Sequence, residues 1–87
     1  MDIAQQFTVE SFTTGERRTV TATHWWDALA DQPDPCFLVV RRSDGRYSAR
    51  TLENEAFPVA GEHIGDTEQL VADSFRNAYA ELRITAE

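Results

Sequence analysis

Half of the basic residues in this chain fall within one ten-residue stretch, RRSDGRYSAR, which holds Arg41, Arg42, Arg46 and Arg50. A guanidinium group binds a carboxylate or a phosphate through paired hydrogen bonds, so several on one face can form an anion-binding site. Asp44-Gly45 predicts a two-residue hairpin turn at the centre of the stretch. Strand alternation about that turn places three arginines on one face as interaction candidates, Arg41, Arg46 and Arg50.

The acidic segment that follows offers a second explanation for the same arginines. Residues 53–68 contain no basic residue and five carboxylates: Glu53, Glu55, Glu62, Asp66 and Glu68. Residues 41–50 carry four arginines against the single carboxylate of Asp44. Because complementary charges that are close in sequence can pair within the molecule, we favour local ion pairing over a binding site.

Three other residues have side chains that suit catalysis or metal binding: His24, Cys36 and His63. His24 and Asp27 are three residues apart on a predicted helix, which suits two metal ligands, but the sequence contains no second such pair. Cys36 opens an apolar strand, where a free cysteine usually behaves as a small buried hydrophobe. We therefore predict no catalytic residue, no metal site and no cofactor. An enzyme or small-molecule binder that uses His24, His63 or Cys36 is an alternative.

The neighbouring indoles of Trp25 and Trp26 lie in the same predicted helix. Consecutive helical residues point about 100° apart, so the two rings cannot form one stacking platform. We expect at least one ring in the core and the other at a boundary. If Trp25 is the exposed ring, it becomes an anchor for a protein partner, because tryptophan is enriched among interface hot spots.

Composition limits the classes of partner. The 87 residues fit a single domain, and the formal net charge of −7 argues against direct binding to nucleic acid or to an anionic membrane. The chain has no lysine, which a GC-rich genome or a halophilic source would explain. The functional alternative is an acidic surface that imitates DNA. No stretch approaches the roughly 20 apolar residues of a membrane span, and one cysteine cannot form an internal disulfide. We expect a soluble, cytoplasmic protein.

Two hairpins and two helices account for most of the chain. Thr14-Gly15 is the predicted turn of the first hairpin, with Val9 opposite Val20 and Phe7 opposite Ala22. A short helix is predicted at 24–31, with Thr23 as its N-cap. The second hairpin has strands at 36–42 and 46–52. A short strand or a turn is predicted near residues 57–60, and the last helix is predicted at 67–82, capped by Asp66 or Thr67.

These elements predict a two-layer α+β domain in ββαββα order, with an antiparallel sheet of four strands, or five if residues 57–60 contribute. The long C-terminal helix packs on the sheet, and the short helix lies at the sheet edge or on the other face. The predicted core is Phe7, Val9, Val20, Leu38, Val40, Val71, Phe75, Ala78 and Leu82. We expect a small, acidic, non-enzymatic domain that binds or regulates another protein. The main alternative is a DNA-mimicking inhibitor of a nucleic-acid-binding protein, of the mobile-element or phage type.

Overall fold

The computed structural model describes residues 3–30, 32–52 and 61–86, with side chains as far as residue 81 of the last helix. The elements are, in chain order, β1 (Gln5–Ser11), β2 (Arg17–Ala22), α1 (Trp25–Ala30), β3 (Cys36–Arg41), β4 (Tyr47–Thr51), β5 (Gly61–Gly65) and α2 (Glu68–Ala86). The strands form one antiparallel sheet in the order β2-β1-β3-β4-β5. The predicted α+β class is confirmed. The strand or turn expected near residues 57–60 lies outside the described residues, and β5, at Gly61–Gly65, was not predicted.

The central strand β3 has apolar side chains on both faces of the sheet. Because successive strand residues point to opposite faces, Leu38 packs with Ala28 and Leu29 of α1, whereas Phe37 packs with residues of α2. The short helix therefore lies on the face opposite the long helix, one of the two positions left open by the sequence. A strand that is covered on both faces has a continuous run of apolar residues in its sequence, as residues 37–40 do.

The two helices cover different halves of the sheet. The short helix α1 packs over β1, β2 and β3, whereas α2 packs over β3, β4 and β5 on the other face. Among the described residues, no helix covers β4 and β5 on the α1 side or β1 and β2 on the α2 side. In the described part of the chain, each face of the sheet therefore has one half without a helix.

The register of the first hairpin differs from the prediction by two residues. Phe7 lies opposite Val20, and Val9 lies opposite Arg18. The turn is longer than two residues because Ser11 organises it: its side-chain oxygen accepts hydrogen bonds from the backbone N–H groups of Thr13 and Thr14, at 3.2 Å each. Gly15 completes the turn at φ 75°, a conformation that favours glycine. A two-residue shift keeps every side chain on its predicted face.

The second hairpin differs by one residue, and this shift has a larger consequence. The Arg42 N–H donates to the Arg46 carbonyl at 2.7 Å, which leaves three residues in the loop, and Gly45 adopts φ 86°. A one-residue shift moves side chains to the opposite face. Arg41 therefore lies opposite Tyr47 on the α2 side, and Arg42 takes the place predicted for Arg41.

The helix starts and the core follow most of the predictions. The Leu70 N–H donates to the Thr67 side-chain oxygen at 3.1 Å, which makes Thr67 the N-cap of α2. His24 precedes α1 and its carbonyl accepts the first helical hydrogen bond, so Thr23 is not the N-cap. The predicted core residues that are buried are Phe7, Val9, Leu38, Val71 and Phe75. Three are half-buried, namely Val20, Val40 and Ala78, and the Leu82 side chain lies outside the described part.

Candidate interaction surface

The first turn of α1 brings two of the predicted interaction candidates together. Trp25 packs against the cluster that contains Ala28 and Leu29, because residues at i, i+3 and i+4 share one helix face. The guanidinium carbon of Arg50 lies 5.2 Å from the centroid of the Trp25 ring. This distance is typical of a cation–π contact. Trp25 is therefore half-buried, and its ring contacts the guanidinium group of an arginine on β4.

Trp26 is the more exposed of the two indoles. It points away from the sheet and retains 45% of its accessible surface. Its ring stacks on His24 at a centroid distance of 4.3 Å and an interplanar angle of 10°, and it meets the edge of Trp25 at 5.6 Å. We call His24, Trp25, Trp26 and Arg50 the tryptophan surface. The predicted anchor was Trp25, but Trp26 presents the larger apolar area to solvent.

Glu62 of β5 organises the arginines that border this surface. It lies opposite Arg50 in the sheet, and its carboxylate accepts hydrogen bonds from the Arg50 guanidinium at 2.8 Å and from the Ser48 hydroxyl at 2.7 Å. Arg42 lies 3.9 Å from the same oxygen. The Ser48 hydrogen bond and then the positive charge of Arg50 lower the pKa of Glu62. One carboxylate thus neutralises part of the arginine cluster.

Asp44 and Asp66 pair with Arg42 and Arg46 of the hairpin. The Arg46 guanidinium lies 3.2 Å from Asp66, and Arg42 lies 3.2 Å from Asp44. The pKa of Asp44 is lowered, chiefly because its carboxylate accepts the Arg46 backbone N–H. The local ion pairing predicted from the sequence is therefore present at Glu62 and Asp66. Glu53 and Glu55 lie outside the described residues.

Reversing two of these arginine charges tests whether they serve the fold or a partner. We expect Arg46→Glu combined with Arg50→Glu to lower the free energy of unfolding by about 0–2 kcal/mol, since each exposed ion pair contributes about 0–1 kcal/mol. Arg41→Glu is the matched control, because Arg41 lies on the other face. Thermal denaturation of both variants measures the effect. Unchanged stability together with lost partner binding would show that the arginines contact the partner directly.

The residues considered for catalysis do not converge on one site. Cys36 is buried in the cluster on the α1 side, and burial raises the pKa of its thiol, which disfavours the nucleophilic thiolate. His63 lies on the α2 side, where its Nδ1 is 2.5 Å from the Ser74 hydroxyl oxygen and its ring packs on Phe75. His24 stacks on Trp26 at the start of α1. Among the described residues, no group of three potential ligands is placed to hold a metal ion.

A polar groove of about 690 Å³ lies between α2 and the uncovered half of the sheet. At its floor, the Arg76 guanidinium donates to both oxygens of Glu10, at 2.7 Å each, and Arg17 donates to the same carboxylate at 3.0 Å. These hydrogen bonds, led by those from Arg76, lower the pKa of Glu10. Glu10 and Arg76 are separated by 66 positions in the chain. The sequence contains no local signal for this pair, which depends on the docking of α2.

Comparison with protein-family models, with curated proteins and with solved structures finds no match to this chain. Within the described part of the chain, neither helix is both long and apolar enough to cross a membrane.

Proposed function

We propose that this protein is a small, non-enzymatic domain that binds another protein through the tryptophan surface. The observation that carries the proposal is the exposed indole of Trp26, held against His24 on one ring face and against the edge of Trp25. Exposing a large apolar ring to water is unfavourable in free energy for an isolated domain, whereas burying that ring in an interface is favourable.

The contacts around Trp26 fix its ring before any partner arrives. A side chain that is already immobile loses little conformational entropy on binding, so more of its contact energy contributes to affinity. The Arg50 guanidinium contacts the Trp25 ring in the same way, so Trp25 is also held in place before a partner binds. The tryptophan surface thus has the properties of a preorganised binding patch.

The charges beside the tryptophan surface also support a protein partner. Three arginines in or beside this surface each pair with a carboxylate: Arg50 with Glu62, Arg46 with Asp66 and Arg42 with Asp44. Asp27, next to Trp26 in α1, is a further exposed carboxylate. A protein with a net charge of −7 repels other acidic proteins over most of its surface. The tryptophan surface is closer to neutral than the protein as a whole, so such a partner can approach the exposed aromatic ring at lower electrostatic cost. The single cysteine supports a cytoplasmic setting for this interaction.

Substitution of Trp26 tests the proposal. We expect Trp26→Ala to weaken binding to a partner captured from the source organism by about 30-fold or more, the effect of losing an interface hot spot of about 2 kcal/mol. Leu70→Ala is the matched control, since Leu70 is a 59% exposed apolar residue on α2. Affinity capture with quantitative mass spectrometry identifies the partner, and calorimetry with the purified pair gives both dissociation constants.

Two results would contradict this proposal. Equal binding by the two variants would remove the tryptophan surface from the interface. A partner that binds DNA, is displaced by DNA and binds Trp26→Ala normally would instead support the DNA-mimicking inhibitor. Thermal denaturation of Trp26→Ala provides the folding control, with an expected change in the free energy of unfolding below about 1 kcal/mol.

A further inference from the structure

The outer edge of β2 has unpaired backbone groups among the described residues. The Ser11 N–H donates to the Glu16 carbonyl at 2.9 Å, so these two residues form a hydrogen-bonded pair of the antiparallel ladder. Because such pairs alternate with non-bonded ones, Arg18, Val20 and Ala22 bond to β1. The residues between them direct their backbone N–H and carbonyl groups outward: Arg17, Thr19 and Thr21. β2 is the terminal strand of the sheet on this side.

The second half of this edge lacks the features that keep monomeric sheets apart, and the charged residues of the strand, Arg17 and Arg18, are confined to its start. From Thr19 to Ala22 the strand contains no charged residue, proline or glycine, and its register with β1 is continuous from Arg17 to Ala22 without a bulge. Natural edge strands are usually protected by one of these features because an open edge pairs readily with another strand. The β2 edge is therefore suited to pairing with a strand from another molecule.

The charge on β2 favours a second copy of this chain as the other molecule. The strand carries Arg17 and Arg18 and no carboxylate, although the chain has 15 acidic residues and a net charge of −7. Two copies repel each other over most of their surfaces. The repulsion is weakest along this edge, where Arg17 and Arg18 pair with Glu10 and Asp34 and leave little net charge. We propose that β2 pairs antiparallel with β2 of a second copy and joins two five-stranded sheets into one of ten strands.

The side chains of β2 specify the register of this pairing. A twofold axis perpendicular to the sheet keeps each face continuous, so paired residues must point to the same face. With the axis at Val20, the two Val20 side chains meet, Arg18 lies opposite Ala22, and Thr19 lies opposite Thr21. Val20 and Ala22 are half-buried beside the α1-side core, and pairing extends that core across the interface. An axis at Arg18 would instead place two arginines opposite each other.

Sedimentation equilibrium of the full chain tests the proposal. We expect a monomer–dimer equilibrium that shifts toward the dimer between about 0.1 M and 1 M salt, as the Debye length falls from about 10 Å to about 3 Å. Thr19→Pro removes an outward N–H that β1 does not use, and we expect the dimer dissociation constant to rise at least about tenfold. Thr19→Val is the matched control and retains that N–H, so its dissociation constant should stay near the wild-type value.

Disulfide trapping supplies a second measurement should Thr19→Pro fail to fold. Directly opposed residues in a non-hydrogen-bonded pair have Cβ atoms about 4.5–5.5 Å apart, close to the separation that a disulfide spans. We expect Val20→Cys to form a covalent dimer on mild oxidation, whereas Thr8→Cys on β1 does not. A chain that stays monomeric at every concentration and salt, a dimer equally stable in Thr19→Pro and Thr19→Val, or equal trapping at Thr8 would overturn the proposal. Trp26 lies outside this interface, so dimerisation and partner binding fail independently.

Discussion

Replacing Phe75 with alanine is expected to lower the free energy of unfolding by about 3–5 kcal/mol. Phe75 is fully buried on α2, and its ring meets the ring of Phe37 at 5.7 Å and that of His63 at 4.5 Å. Truncation removes the apolar surface that joins α2 to β3 and β5, and it leaves a cavity between helix and sheet. Urea denaturation of both proteins at neutral pH measures the loss, which is a large fraction of a small domain's total stability.

Leu70→Ala on the same helix is the control for this substitution. Leu70 is 59% exposed, so its truncation should change the free energy of unfolding by no more than about 0.5 kcal/mol. If the two variants proved equally stable, α2 would have to dock on the sheet through a different face.

Replacing Glu10 with glutamine is expected to lower the free energy of unfolding by about 2–4 kcal/mol near neutral pH. Breaking a fully buried ion pair costs about 3–5 kcal/mol, and this pair is expected to cost less because the Arg76 side chain is 35% exposed to screening solvent. The substitution removes the negative charge that Arg76 and Arg17 share while keeping the size of the side chain. Both arginines then lose the negative charge of their common partner and one of its two oxygen acceptors, while Arg76 keeps its ion pair with Asp73.

The effect of Glu10→Gln should depend on pH. The pKa of Glu10 in the folded protein is lowered from its ordinary value of 4.5, mainly by hydrogen bonds from Arg76. The stabilisation from the ionised carboxylate is therefore complete above the unfolded pKa and is lost as the pH falls through the folded pKa. Urea denaturation of both proteins at several values between about pH 7 and pH 3 should show their stabilities converging below about pH 4.5. A stability difference that stays constant over this range would contradict the assigned role of Glu10.

The pattern of the sequence was sufficient to predict β1 to β4 and both helices, because alternation in the strands and helical spacing in α2 are local signals. It did not predict β5, because Gly61 and Gly65 bound that strand and interrupt the apolar pattern. The loop of the second hairpin was less predictable. Asp44-Gly45 suits a two-residue turn, but Gly45 with a positive φ also completes a three-residue loop, which is the one observed. The one additional loop residue decides whether Arg41 or Arg42 lies on the same face as Arg46 and Arg50, so the wrong loop length put the wrong arginine on that face.

The contacts of the candidate surface depend on strand order, which local patterns do not determine. Trp25 follows β2, and Arg50 lies on β4, so the two meet only because β1 pairs with β3 and α1 crosses that junction. The sequence identified both residues as candidates without placing them together. The sequence did not decide which of the two indoles is exposed. The packing of Trp25 with buried Ala28 and Leu29 leaves Trp26 exposed to solvent.

The most direct test of the proposed binding surface is the nuclear magnetic resonance spectrum of the isotope-labelled chain titrated with its captured partner. The two indole N–H signals, from Trp25 and Trp26, report on the surface itself, and backbone amides report on the remaining faces. We predict the largest shifts at the Trp26 indole and at the amides of residues 24–26 and 50. If the indole signals do not move, and the shifts are confined to the groove around Thr8 and Gln69 or to the β2 edge, the partner does not bind at the tryptophan surface and the proposal is wrong.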